Sequence, residues 1–166
     1  MEINYDPALI NSLRNKHLLL DTNIFRDVAS KPSVFTSFFN LLKNSDVTLA
    51  TIDLVKFEIL KGSANNLKYE EKEQMIKDIT EEVIIPTTSE MIASVYELIK
   101  QYGIDGASIS VTDLYLGAAL IQFKKNLFLL TRDTTDFLQR IFELSGVINI
   151  PCSKGIFTYG VYQYTQ

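Results

Sequence analysis

The sequence predicts a three-layer α/β/α fold around a mainly parallel sheet of about five strands. Short apolar runs such as Leu18–Leu20 and Leu127–Leu130 are continuous rather than alternating, as in strands covered on both faces. Between such runs lie stretches whose apolar residues recur at helical spacing, and this alternation argues for parallel strands joined by crossover helices. The chain's 166 residues, 46% hydrophobic and 22% charged, suffice for one domain with a real core.

Residues 1–16 read as a polar extension in which Pro7 opens a short helix through Leu9, Ile10 and Leu13. HLLLDTN supplies the first core strand, ended by turn-forming residues. A helix follows over Ser33 to Lys43, then a strand over Val47 to Ala50. Thr51 is placed to cap a helix that runs to Lys61 and stops at Gly62. Tyr69 to Glu82 is a charged amphipathic helix, Val83 to Ile85 a strand closed by Pro86, and Ser89 to Gly103 a helix. Ile104 to Val111 reads as a loop, Thr112 to Lys125 as a helix and Leu127 to Leu130 as a strand. Thr134 to Leu144 is expected to be helical until Gly146, before a fifth strand over Val147 to Ile150. No repeat or linker composition interrupts this order. The expectation is a single domain, 1–166, with a core over 17–150 and a tail over 151–166.

The tail, IFTYGVYQYTQ, carries Phe157, Tyr159, Tyr162 and Tyr164 among β-branched neighbours. Aromatics stack on single-stranded bases, but the alternation favours an added edge strand or a protein contact. No apolar run nears the ~20 residues of a spanning helix, and MEINYDPALI lacks a signal-peptide pattern. One cysteine, Cys152, excludes an internal disulfide and fits the cytoplasm. A net charge of −4 counts against a general nucleic-acid coat, which needs a basic surface. It leaves room for an enzyme whose carboxylates gather around metal ions.

Four acids are candidates for such a site. Ligands bind beyond the carboxyl ends of parallel strands. Asp21 directly follows the strand Leu18–Leu20, and Asp133 follows Leu127–Leu130. Taken singly, each is most simply an ordinary turn or capping aspartate. Asp113 opens a helix but shares the apolar stripe of Leu116, Gly117 and Leu120; the helix dipole alone could satisfy it. Glu58 shares a face with Leu54 and Val55, although a pair with Lys61 is an alternative. Converging carboxylates repel unless protons or cations intervene. With one histidine and one cysteine in the chain, the composition argues against a zinc site of nitrogen and sulfur ligands. All-oxygen ligation favours Mg²⁺ or Mn²⁺.

At these residues the sequence resembles the PIN-domain ribonucleases, especially the VapC-like toxins of prokaryotic toxin–antitoxin pairs. LLLDTNIF is similar to the family's first motif, with Asp21 as acid and Asn23 as its polar companion. Glu58 resembles the second acid, and Asp113 in SVTDLYLGAAL the third. LLTRDTTDF is similar to the last motif, with Thr131 as the hydroxyl, Asp133 at the acid-or-amide position and Asp136 as a further acid. The resemblance implies a PIN-like fold and metal-dependent hydrolysis of RNA phosphodiesters. It also implies Mg²⁺ or Mn²⁺ held by Asp21, Glu58, Asp113 and Asp133, with Asp136 binding directly or through water. Asn23 and Thr131 would orient the carboxylates. Implied partners are an RNA substrate, a cognate antitoxin and a second copy in a homodimer.

Other residues fit simpler roles. His17 reads as structural, and Cys152 as an inert, partly buried thiol. Arg26 and Arg132 flank the strongest motifs and suit phosphate contacts, though solvated surface charge is the commoner use. Lys124 and Lys125 complement a helix end. Two further readings stand beside the nuclease: a non-catalytic PIN-like scaffold binding RNA or protein, and a haloacid-dehalogenase-type phosphatase. Enzymes of the latter type usually carry a second aspartate where Asn23 stands.

Overall fold

The computed structural model describes residues 3–104, 106 and 108–166. The start of the N-terminal extension and two positions of the loop expected over 104–111 therefore lie outside the described residues. In chain order the elements are β1 (Asn4–Tyr5), α1 (Pro7–Leu13), β2 (His17–Leu20), α2 (Thr22–Ser30), α3 (Pro32–Asn44), β3 (Thr48–Ile52) and α4 (Asp53–Leu60). They continue as α5 (Asn66–Thr80), β4 (Ile84–Ile85), α6 (Ser89–Ile104), α7 (Val111–Phe123), β5 (Leu127–Thr131), β6 (Glu143–Cys152) and β7 (Gly155–Gln163).

These form a three-layer α/β/α fold around one seven-stranded sheet of order β1-β6-β7-β5-β2-β3-β4. Its parallel part is β5-β2-β3-β4, with Leu18 facing both Leu49 and Phe128 in register. Leu18, Leu19, Leu20, Leu129 and Leu130 are at most 1% exposed, as strands covered on both faces require. The other part is antiparallel: β7 pairs with β5 and β6, and β1 with β6. Among the described residues no helix is long and apolar enough to cross a membrane.

Four differences from the sequence expectation bear on the site. A helix, α2, fills residues left unassigned. Asp21 caps it by accepting from the Thr22 N–H at 2.6 Å, and Ile24, Phe25 and Val28 bury its inner face. Thr51 does not cap α4. It stays in β3, fully buried, and its hydroxyl donates to the Leu20 carbonyl at 3.0 Å.

The third difference is the expected helix over Thr134 to Leu144, which is absent. Phe137, Ile141 and Phe142 are buried, which produced a helical periodicity, but the backbone donors find other partners. Asp133 Oδ1 accepts from the N–H groups of Thr135 and Asp136, and the Tyr102 hydroxyl accepts from Leu138 N–H. The Asp133 bonds are those of a helix N-cap. The helix is not continued, because Leu138 N–H goes to Tyr102 and its helical partner, the Thr134 carbonyl, accepts from the Tyr162 hydroxyl at 3.2 Å. Fourth, the tail is no edge strand. β7 lies between β6 and β5, joined to β6 by a tight turn closed at Cys152 and Gly155. Burial of Tyr159, Val161 and Tyr162 explains its interior place.

α7 is apolar on nearly every side and sits deep. Gly117 permits this, because a Cβ there would lie 2.9 Å from Phe142 Cζ and 3.1 Å from Leu98 Cδ1. The depth of α7 is what carries Asp113, in its first turn, toward the end of the parallel strands.

Candidate active site

Asp21 leaves β2 where β5 ends: its N–H donates to the Leu130 carbonyl at 3.2 Å. The side chain is only 5% exposed and has three donors. Thr131 Oγ1 donates to Oδ2 at 2.7 Å, Asn23 Nδ2 donates to the same oxygen at 3.2 Å, and Thr22 N–H bonds Oδ1. Asn23 Nδ2 also lies 3.2 Å from Thr131 Oγ1, and its own carbonyl accepts from Arg132 N–H at 3.1 Å. The Thr131 hydroxyl accepts from Asp133 N–H at 3.0 Å. Asn23 and Thr131 thus orient Asp21 and join the α2 cap to the segment after β5. Burial pushes the Asp21 carboxyl above its usual range. The Thr131 and Thr22 hydrogen bonds oppose that shift, and the charges of Glu58 and Asp133 add to it.

Glu58, half-buried on α4, uses both carboxylate oxygens. Thr22 Oγ1 donates to Oε2 and Thr112 Oγ1 to Oε1, each at 2.5 Å. The donors are the neighbours in sequence of Asp21 and Asp113, so Glu58 ties together the two chain segments that carry those aspartates. Each hydroxyl bond to a charged group is worth roughly 1.5–3 kcal/mol when buried, less at this half-buried glutamate. Thr22→Val and Thr112→Val are each expected to lower stability by about 1 kcal/mol, read as a lower urea midpoint at unchanged slope. An unmoved midpoint in both variants would remove this role for the threonines.

Asp113, Asp133 and Asp136 converge most closely, with one carboxylate oxygen from each within 4.8 Å of the others. Asp113 is 8% exposed; Ser110, the cap of α7, accepts from its N–H at 3.1 Å, and a hydrogen bond from the Ser110 side chain partly stabilises its carboxylate. Burial first, then the charge of Asp21, push the Asp113 carboxyl up to about 7, with a smaller contribution from Asp136. Asp133 and Asp136 are a linked pair. Burial acts to raise Asp133, but hydrogen bonds from Asp136 and Thr135 outweigh it and hold this carboxyl below its usual range. Burial, then the bond to Asp133 and that residue's charge, raise Asp136. A set of crowded carboxylates, three within reach of one another and Asp21 beside them, suits a hard divalent cation.

Of the acids named from sequence, Asp113, Asp133 and Asp136 form this closest group. Asp21 is coupled to it by charge, and Glu58 stands behind, bound to threonines. His17 and the exposed Lys124 and Lys125 lie at the opposite ends of β2 and β5. Cys152, partly exposed, closes the β6–β7 turn by donating to the Gly155 carbonyl. Arg26 is exposed. Arg132 is not a plain solvated charge: its Nη1 lies 2.9 and 3.1 Å from the two oxygens of Asp27.

Several residues around the site were missed in the sequence. Tyr102, on α6, donates its hydroxyl proton to the Asp136 carbonyl at 2.5 Å and accepts from Leu138 N–H at 3.3 Å. Burial pushes that phenol up to about 12. Thr22, Thr112, Asp27 and Tyr159 belong with it. Asp27 had one local signal, its place four residues after Asn23 on a helix that Asp21 caps. The others depend on contacts that no spacing shows.

No protein-family model matches the chain, and no curated protein does. Solved structures do. A chain of VapBC2 from Rickettsia felis, bound to a DNA fragment from their promoter, is 23% identical, covers 68% of this chain and 96% of its own, and superposes with a TM-score of 0.54. A chain of VapBC-1 from nontypeable Haemophilus influenzae is 18% identical over 73% of this chain and 90% of its own, TM-score 0.59. DNA-bound VapBC from Salmonella typhimurium gives 14% identity, 68% and 83% coverage, and 0.52. At such identities the likeness defines the fold. It is a PIN-like α/β/α fold, and the particular likeness is to chains of VapBC complexes.

Proposed function

We propose that this chain, read as a single PIN-like domain, is a divalent-metal-dependent endoribonuclease acting as the toxin of a toxin–antitoxin pair. The observation that carries the nuclease reading is the convergence of Asp113, Asp133 and Asp136 beside the buried Asp21, at the carboxyl ends of β2 and β5. The toxin reading rests on the VapC-like motifs and on the likeness to chains of VapBC complexes. An antitoxin, a second copy of the chain and a cytoplasmic setting belong to the same proposal.

Asp113, Asp133 and Asp136 would hold Mg²⁺ or Mn²⁺, with Asp21 and Glu58 completing the acidic wall. A divalent cation there supplies charge neutralisation at the phosphate and a nucleophile at neutral pH. The chain's own part is orientation. Thr131, Asn23 and the Thr22 N–H fix the Asp21 carboxylate, and the two threonines on Glu58 fix the spacing of α2, α4 and α7. No serine–histidine or cysteine–histidine pair is needed.

The test is cleavage of single-stranded RNA with Mn²⁺ or Mg²⁺, with and without chelator, in wild type, Asp21→Asn and Asp113→Asn. Cleavage should vanish with chelator and fall by about 100-fold or more in each variant, equivalent to roughly 2.7 kcal/mol of transition-state stabilisation. Cleavage indifferent to chelator, or undiminished in both variants, would sink the proposal.

A further inference from the structure

Arg132 grips helix α2 at two points one turn apart. Its backbone N–H donates to Asn23 Oδ1 at 3.1 Å, and its guanidinium meets both oxygens of Asp27, four residues further along the helix. Asp27 is only 7% exposed, and from the other side Tyr159 of β7 donates to its Oδ2 at 2.7 Å. Burial, followed by that bond and the Asp27 charge, raises the Tyr159 phenol, so it remains a proton donor at any ordinary pH. Phe157, two residues before Tyr159, lies under the same guanidinium, with Arg132 Cζ 5.3 Å from the ring centroid.

The position of this cluster gives it a consequence for the acids. Arg132 stands between Thr131, which donates to Asp21, and Asp133, whose N–H donates back to Thr131. From Arg132 to Phe142 the chain has no helix or strand of its own to fix it. Asp133 and Asp136 therefore take their place relative to Asp21 from attachments made by side chains. The Arg132 contact to α2 is the one at the start of this segment, next to the first of the two aspartates.

We propose that Arg132, Asp27 and Tyr159 are positioning residues, which set the separation of Asp133 from Asp21 and thereby the affinity of the carboxylate cluster for a divalent cation. The guanidinium serves this internal pairing instead of a substrate phosphate. Arginine suits the task better than lysine, because its planar, delocalised head can meet a carboxylate and a ring face together. This inference rests on the metal-dependent reading of the site.

The test is Mn²⁺ binding, followed by the loss of the electron paramagnetic resonance signal of free Mn²⁺, in wild type, Arg132→Lys, Asp27→Asn and Tyr159→Phe. Thermal melts by circular dichroism should first establish that each variant is folded at the binding temperature. Tyr159→Phe loses a single hydroxyl and keeps its ring, so it tests the idea even if Asp27→Asn does not fold. Arg132→Lys and Asp27→Asn should weaken Mn²⁺ about 10–100-fold at unchanged stoichiometry, in line with partners that orient metal ligands. Tyr159→Phe should weaken it several-fold. The double variant Arg132→Lys with Asp27→Asn should cost no more than the worse of its two singles, since both substitutions remove the Arg132–Asp27 pair. A merely structural role predicts lower melting temperatures with wild-type affinity in every folded variant, and that result overturns the proposal. Wild-type protein that binds no Mn²⁺ would defeat the metal-dependent reading itself, a distinct outcome.

Discussion

Asp113→Asn is expected to make the metal-free protein more stable at pH 8 while lowering the RNA cleavage proposed for this site. The Asp113 carboxyl sits at about 7 in the folded chain, raised by burial and by the charge of Asp21, and near 3.8 when unfolded. A raised acid contributes stability that is fully present below its unfolded value and is lost as pH rises through its folded value. Wild type should therefore lose stability between about pH 4 and 7, by up to roughly 4 kcal/mol if Asp113 titrated alone, and by less because its neighbours titrate with it. Asp21 is shifted the same way, whereas Asp133 is held low and acts only below its ordinary range. The amide cannot ionise, so the variant should melt about 5 °C above wild type at pH 8 and converge with it near pH 4. A divalent cation has the opposite preference, because its ligands must be deprotonated. At 100 times its dissociation constant it should stabilise wild type by about 2.7 kcal/mol and the variant far less. Melts across pH 4–8, with chelator and with Mn²⁺, read both effects. A variant that tracks wild type at every pH would mean that Asp113 is not the strained carboxyl.

Gly160→Ala should destabilise the protein by about 1–3 kcal/mol, and Gly160→Val by more. Gly160 lies in β7 opposite Thr131 of β5 and Val147 of β6. A Cβ there would fall 2.6 Å from Tyr162 Cε2 and 3.1 Å from Cζ. Tyr162 cannot easily yield: it is fully buried, its ring lies 5.5 Å from that of Phe137, and its hydroxyl donates to the Thr134 carbonyl at 3.2 Å. Replacing a strand glycine normally gains roughly 0.5–1 kcal/mol, and the clash outweighs this. Because Thr134 adjoins Asp133, displacement of Tyr162 should also weaken the Mn²⁺ binding proposed for the acidic cluster. Urea unfolding measures the first effect. Pairing Gly160→Ala with Tyr162→Leu should recover part of the loss, and no recovery would place the strain elsewhere.

The parallel half of the sheet was legible because its signal is local. Leu18–Leu20 and Leu127–Leu130 are apolar at every position since both faces are covered, and each is followed by the residues that turn the chain. The antiparallel half was misread for the opposite reason. Gly155 to Gln163 has strand composition, but its place between β6 and β5 is a long-range pairing that no window of sequence contains. Residues 134–142 carry helical spacing because Phe137, Ile141 and Phe142 face the core, while the hydroxyls of Tyr102 and Tyr162 take the Leu138 N–H and the Thr134 carbonyl that a helix would pair.

By itself the sequence determined the class of fold and the set of acids that gather at one edge of it. Strand-end position and apolar helix faces are properties of neighbouring residues, and they point Asp21, Asp113 and Asp133 the same way. Only the tertiary structure decided how those acids are ranked and held. It put Asp136 with Asp113 and Asp133 in the closest group, set Glu58 between two threonines, and paired Arg132 with Asp27, which Tyr159 bonds from the other side. Hydrogen bonds and charge couplings depend on distances of a few ångströms between segments tens of residues apart, and those distances exist only once the sheet has closed.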